Sequence, residues 1–385
     1  MLPGRVRSLY LHVPFCSHKC HYCDFYSLVD RQDRQVQFVE RLVREIRAIS
    51  PWGGNLETIF VGGGTPTLLA PELWQIFLKE LHEHFVLSSQ CEFTVECNPE
   101  TASAELMAVL KAGGVNRLSL GVQSFNPVHL KTLERVHRLE SVPRAIGLAR
   151  EAAIDRISID LIYAIPGQTL ADWSHDLDTA IRLGTDHVSC YNLTYEPRTA
   201  MTARLERGEF EPTPEETEIE MFELTGQRLR ESGFERYEVS NYARPDQACR
   251  HNLAYWRQDD WLAAGPSASA HVGGHRWKNT PHLETYLSDD CNGFASITDH
   301  EPPDAARALR ERIMTGLRLA EGLDADRLLR DCASDCPQFC QALEQEIGRV
   351  RDEGLIQRED SIITITERGI ILADGIAARL MSALL

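Results

Sequence analysis

Residues Cys16-Ser17-His18-Lys19-Cys20-His21-Tyr22-Cys23 set three cysteines in a C-x-x-x-C-x-x-C pattern directly after the β-like run Leu9-Tyr10-Leu11-His12-Val13. That spacing lets three thiolates wrap one face of a 4Fe-4S cubane and leaves the fourth iron open to a ligand. The same residues allow a second arrangement, a tetrahedral Cys3His zinc site completed by His18 or His21. Tyr22 and Phe25 favour the cluster, because bulky aromatics around the loop suit the shielding of a redox centre better than a small surface knuckle.

From Ser8 to about Tyr195, short apolar runs alternate with longer stretches of helical period, the mark of repeated βα units around a parallel sheet. Strands are expected at Leu9 to Val13, Thr58 to Val61, Phe93 to Glu96, Arg117 to Leu120, Ile157 to Ile162 and His187 to Asn192. Six such units make an incomplete barrel. Val36, Val39, Leu42, Val43 and Ile46 recur at helical spacing, as do the apolar residues after Pro71 and around Leu106 and Leu110. Helices therefore cover the outside, and the C-terminal ends of the strands open onto the site.

The strand ends carry the polar residues. The second runs into Gly62-Gly63-Gly64-Thr65-Pro66, where glycine lets the backbone approach a ligand, although alone such a run is equally a plain turn. The third ends in Glu96-Cys97-Asn98-Pro99, the fourth in Gly121-Val122-Gln123-Ser124-Phe125, and the fifth carries Asp160 inside Ile159-Asp160-Leu161-Ile162-Tyr163. Polar groups in apolar runs are costly to bury without partners, and the ribose and adenine of a nucleoside would serve as partners. For any one of these residues, hydrogen bonding at the sheet end is the alternative.

Together with Asp160-Leu161-Ile162-Tyr163-Ala164-Ile165-Pro166-Gly167-Gln168-Thr169, these motifs resemble the oxygen-independent coproporphyrinogen III dehydrogenase branch of the radical S-adenosylmethionine (SAM) superfamily. The resemblance implies a 4Fe-4S cluster on Cys16, Cys20 and Cys23, with the methionine end of SAM on the open iron. It also implies that Tyr10 and Tyr22 line the SAM site, that Gly63, Gly64 and Thr65 hold the methionine end, and that Glu96 holds the ribose. Gln123, Arg135 and Asp160 would complete the pocket. Read without the resemblance, Arg135 in Leu133-Glu134-Arg135-Val136-His137 is equally part of a solvated helix face.

Two departures select a branch. Members that decarboxylate porphyrinogen have a fourth cysteine where this chain has Phe25, and they carry an extension before the first strand, which here starts close to Met1. Both features resemble the HemW-type haem chaperones, as does His251-Asn252-Leu253-Ala254-Tyr255-Trp256, an H-N-x-x-Y-W motif. His251 and Tyr255 are candidate haem ligands, with a satisfied core histidine beside aromatics as the alternative; His271 is a further candidate. The resemblance implies haem, acceptor haemoproteins such as respiratory enzymes, and an electron donor for the cluster as partners. The enzyme alternative is oxidative decarboxylation of coproporphyrinogen III. A homodimer stays open.

The bulk numbers set outer bounds. The 385 residues suffice for more than one domain, and 57 acidic against 40 basic side chains give a formal charge of -17, which disfavours nucleic acid and anionic membranes. Eleven cysteines without a paired framework suit a reducing compartment, and neither a leader nor a long apolar run is seen, so a cytoplasmic location is expected. The fold class expected is α/β, a partial (βα)6 radical SAM barrel over residues 1-240. An H-N-x-x-Y-W-containing connecting region over 241-300 and a small C-terminal helical, winged-helix-like domain over 301-385 follow it. From Asp304 onward there are 11 basic and 15 acidic residues, which argues against DNA reading and for a lid or docking surface. Cys332, Cys336 and Cys340 would share one helix face, but Pro337 interrupts it. They are read as small core residues, like Cys91, Cys97, Cys190, Cys249 and Cys291.

Overall fold

The computed structural model describes residues 5–289 and 292–384. Cys291 lies outside them. Strand β1 (Val6–Val13) is followed by α1 (Gln35–Ile49), β2 (Gly53–Gly63), α2 (Pro71–His84), β3 (Val86–Cys97), α3 (Ala104–Ala112) and β4 (Arg117–Gln123). Then come α4 (Pro127–Thr132), α5 (Ser141–Glu151), β5 (Arg156–Tyr163), α6 (Leu170–Arg182) and β6 (His187–Asn192). β1 to β6 pair in sequence order, all parallel.

The strands alternate sharply. Leu9, Leu11, Ile59, Val61, Phe93, Val95, Leu118, Leu120, Ile159 and Val188 are fully buried against the helices. The intervening Ser8, Tyr10, His12, Thr58, Phe60, Thr94, Glu96, Arg117, Ser119, Ser158 and Asp160 point to the barrel interior. The helices answer that pattern: α1 buries Phe38, Val39, Leu42, Val43 and Ile46 along one stripe, and α6 starts on a Thr169–Asp172 capping box.

Beyond β6 the chain forms α7 (Ala200–Glu206), α8 (Glu215–Glu231), β7 (Glu235–Glu238), β8 (Asn241–Ala243) and α9 (Arg250–Trp256). It continues as β9 (Trp261–Ala264), β10 (Ser269–Val272), β11 (His275–Asn279), α10 (Leu283–Ser288) and β12 (Ile297–Glu301). Residues 241–300 are therefore not a connector. β9 pairs in parallel with β1, β10 to β12 extend that edge antiparallel, and β8 and β7 extend the β6 edge, giving one 12-stranded sheet.

A separate core defines the last domain, built from Leu309, Ile313, Leu328, Leu343, Ile347, Val350, Ile363 and Leu380. Its helices are α11 (Ala305–Gly316), α12 (Ala325–Asp335), α13 (Pro337–Asp352) and α14 (Ala373–Ser382). Its small sheet holds β13 (Leu323–Asp324), β14 (Ile356–Glu359) and β15 (Ile362–Ile365), a wing on a helical body. Pro337 does break the helix, so Cys332 fills this core from α12 and Cys336 from the junction between α12 and α13, while Cys340 is half-buried. Cys91, Cys97, Cys190 and Cys249 are buried thiols as well. Among the described residues no helix is long and apolar enough to cross a membrane.

Candidate functional site

The C-terminal ends of the strands open into a cavity of about 790 Å³. The loop after β1 forms one wall. It is closed on itself by Cys16 N donating to the Leu28 carbonyl at 2.9 Å and Leu28 N to that of Pro14 at 2.8 Å. It is tied sideways by Thr65 N to the Phe15 carbonyl at 2.6 Å and His21 N to the Leu133 carbonyl at 3.3 Å. Cys16, Cys20 and Cys23 all line the cavity as free thiols. Burial pushes the Cys16 and Cys23 thiols up, against donors at Cys16 from Thr65 Oγ1, 3.7 Å from its Sγ, and at Cys23 from the Phe25 backbone; Arg135 Nη1 lies 3.8 Å from Cys20 Sγ.

That donor set fits a cluster better than zinc. The histidines that would close a tetrahedron are engaged elsewhere, His21 Nδ1 with Arg204 Nη1 at 3.2 Å and His18 with Glu134 at 3.7 Å. Phe25 does not shield the loop as expected. It is 65% exposed at the cavity mouth, while Tyr22 packs inward.

The nucleoside-type residues converge on the same space. Gly63 has φ +107°, a left-handed conformation open to glycine, and its N–H donates to Glu96 Oε2 at 3.0 Å. Burial, then the neighbouring Asp160 carboxylate, push the Glu96 carboxyl up to about 8. Asp160 accepts from Ser189 Oγ at 2.7 Å and Ser119 Oγ at 3.0 Å; neither serine was singled out from the sequence. Gln123 has φ +68° at a bulge between β4 and β5, and the bulge turns its side chain into the cavity.

Arg135 is not on a solvated face. It reaches from the loop after α4 across the cluster loop, and its Nη2 donates to the Gly121 carbonyl at 2.5 Å. A side chain at position 121 would stand 2.8 Å from that nitrogen, so glycine there makes room for the guanidinium. Arg135 Nε and Asn192 Oδ1 are buried without partners at this wall. Unused donors and acceptors beside two carboxylates fit a ligand carrying an amino-acid end and a ribose, and three thiols beside an arginine fit an iron-sulfur cluster.

Tyr10 is displaced from its expected place. It stacks on Phe60 below the cavity and its hydroxyl pairs with His12 Nδ1 at 3.0 Å, so it supports the site from the interior.

The three haem candidates lie elsewhere too. His251 is 1% exposed, and both ring nitrogens are engaged, Nδ1 with Thr58 Oγ1 at 2.8 Å and Nε2 with Tyr255 Oη at 2.9 Å. Tyr255 packs edge-on against Trp261 at 4.6 Å, and His271 gives Nδ1 to the Asp259 carbonyl at 3.1 Å. α9 thus plugs the N-terminal end of the barrel, five residues of β2 and roughly 16 Å from Gly63. As placed, none of the three presents a free ligand atom to the cavity.

The sequence reading missed the outer half of the cavity. Ile219 and Phe222 of α8, Tyr191 of β6, and Ile370 and Ile371 of the C-terminal domain line the same cavity as Phe25 and give it an apolar mouth. Tyr191 and Ile371 are 42% and 40% exposed. Nothing local marks these residues, because three separate elements supply them.

The radical SAM superfamily model matches residues 10–180, and the HemN C-terminal domain model matches 304–372. A heme chaperone HemW from Mycobacterium tuberculosis is 36% identical over 99% of this chain and 96% of its own length. The Bacillus subtilis heme chaperone HemW is 33% identical over 96% of this chain and 98% of its own length. The solved coproporphyrinogen III oxidase of Escherichia coli, a radical SAM enzyme, superposes with a TM-score of 0.84 at 25% identity, covering 98% of this chain and 90% of that one.

Proposed function

The chain belongs to the HemW family of radical SAM proteins, and from that premise we propose that it is a haem chaperone working in the cytoplasm. The observation that carries the reading is a single cavity that joins the three cysteines and the polar strand ends to apolar side chains of α8 and the C-terminal domain, Ile219, Phe222, Ile370 and Ile371. Cys16, Cys20 and Cys23 would hold the cluster. Gly63, Gly64, Thr65, Glu96, Gln123, Arg135 and Asp160 would hold SAM, with Tyr22 and Tyr10 behind them. When bound, the cluster supplies an electron and an open iron that takes the methionine end of SAM. Glu96 and Asp160 orient a ribose, and Arg135 faces a carboxylate.

The outer half suits a flat apolar macrocycle. Ile219 and Phe222 face Ile370 and Ile371 across it, and Phe25 offers an exposed ring in place of the thiol of the decarboxylating branch. Haem would be received here and passed to acceptor haemoproteins, with an external electron donor poising the cluster. The His251 region serves as the barrel floor.

Anaerobic haem titration of the cluster-reconstituted protein tests this by visible absorption. Saturation at one haem per chain, weakened in Phe222→Ala and unchanged per folded molecule in His251→Ala, is expected. Unsaturable binding in the wild type would sink the chaperone reading. The TM-score to the oxidase keeps a second reading alive, coproporphyrinogen III decarboxylation, for which SAM-dependent formation of protoporphyrinogen is the assay.

A further inference from the structure

The apolar mouth has one arginine of its own. Arg135 sits deep against Cys20, whereas Arg318, in the turn after α11, reaches the outer half from the C-terminal domain. Trp256, the last residue of the H-N-x-x-Y-W motif, lies under its guanidinium with 5.2 Å from Cζ to the ring centroid. Arg257 beside it clamps Glu321 with two hydrogen bonds of 2.7 and 2.6 Å, and Ala320 N donates to the Tyr237 carbonyl at 2.9 Å. The guanidinium plane is therefore held by the barrel although the residue belongs to the other domain.

Its hydrogen bonding is incomplete. Among the described residues, Nη1 donates to Asp374 Oδ1 at 2.8 Å, Nη2 makes no hydrogen bond, and Nε is buried with no partner. The Asp374 side chain is 85% exposed while that of Arg318 is 23% exposed, so the hydrogen-bonded counter-ion is loose, and a second carboxylate, Glu238, attracts the guanidinium from the buried side, where Glu238 bridges to Leu319. The other ionisable groups on this part of the wall, Glu196, Glu215 and Glu218, are carboxylates. A ligand with both a flat apolar body and carboxylate arms has one favourable orientation in such a mouth.

We infer that Arg318 is the receptor for a carboxylate arm of the bound metalloporphyrin, that Asp374 is its exchangeable resting counter-ion, and that Trp256 is the positioning residue that holds the guanidinium plane. The inference rests on the reading that the outer half receives haem. A propionate displaces the exposed Asp374 and meets the guanidinium as a charge-assisted pair, while the macrocycle edge without carboxylates turns towards Ile219 and Phe222. Esters of the same porphyrin would lose the pair and keep the apolar contacts.

The test is a titration of the full-length, cluster-loaded chain with ferric protoporphyrin IX and with its dimethyl ester, each in dilute detergent. The wild type should saturate with both and favour the free acid about tenfold. Arg318→Gln should lose that preference, weakening the acid about tenfold and leaving the ester unchanged, with iron content and SAM affinity as in the wild type. Arg318→Lys should recover part of the preference, Trp256→Phe most of it, and Asp374→Asn should tighten the acid two- to threefold. Saturable binding with Arg318→Gln still favouring the acid as the wild type does would overturn the inference and leave the chaperone reading standing. Unsaturable binding of both porphyrins by the wild type would overturn both.

Discussion

The two ends of the barrel use the same side chains to opposite effect. At the N-terminal end, His251, Tyr255 and Thr58 meet one another inside 3 Å, and Glu92 accepts the His251 N–H at 3.2 Å and pairs with Arg156 at 2.9 Å. At the C-terminal end, Arg135 Nε and Asn192 Oδ1 have no hydrogen-bond partner among the described residues, and the Asp160 carboxylate stands close enough to add to the burial that raises Glu96. Around His251 the hydrogen bonds are complete, although Trp256 Nε1 of the same helix is buried without one; at the open end the unpartnered groups lie beside carboxylates on the cavity wall, where a ligand can meet them. The difference lies in what remains unpaired, since histidine, tyrosine, carboxylate and arginine occur at both ends.

The largest expected effect comes from breaking the open end at its anchor. Cys20→Ser should abolish the cluster, read as loss of iron and of the broad absorption near 400 nm, and with it SAM binding. A variant that still holds a full cluster would mean that these thiols are not its ligands. Breaking the closed end should instead cost stability. His251→Ala leaves Thr58 Oγ1 and the Tyr255 hydroxyl without partners and opens a void, a loss of about 3 to 5 kcal/mol in urea unfolding, with SAM affinity retained by the folded fraction. Unchanged stability together with lost haem binding would restore His251 as a ligand.

A subtler test uses pH. The Glu96 carboxyl is pushed up to about 8, above its unfolded value near 4.5, so between those values the folded state holds a proton that the unfolded chain has released. Its contribution to stability is therefore present below about pH 4.5 and is lost as pH rises towards 8. A cationic ligand needs the ionised form, so SAM affinity should rise severalfold from pH 6.5 to 8.5 and be flat, though weaker, in Glu96→Gln. Parallel pH profiles in the two proteins would count against Glu96 as the titrating group. The smallest effect is expected at the rim: Phe25→Ser should change stability by less than about 0.5 kcal/mol and weaken haem a few-fold, since the ring is 65% exposed.

Particular residues show how far the chain could be read. The cysteine spacing, Gly63 to Thr65 and the strand-borne Glu96 and Asp160 were legible because a turn, a strand end and a period of two are local. His251 misled because a motif of chemically capable residues looks the same whether its partners are a ligand or Thr58, which lies 193 positions away. Residues 241–300 read as a connector because strands as short as β9 and β10 carry too few residues to show a period.

The sequence by itself determined the cluster loop, the order of the βα units and the polar residues at their ends, since spacing and alternation act over a few residues. Only the tertiary structure decided which end of the barrel is open, that Tyr10 lies beneath the site, and that α8 and the C-terminal domain supply its apolar mouth. Those outcomes depend on burial and on pairings between distant segments, where the hydrogen bonds a side chain has already made govern whether it can take a ligand.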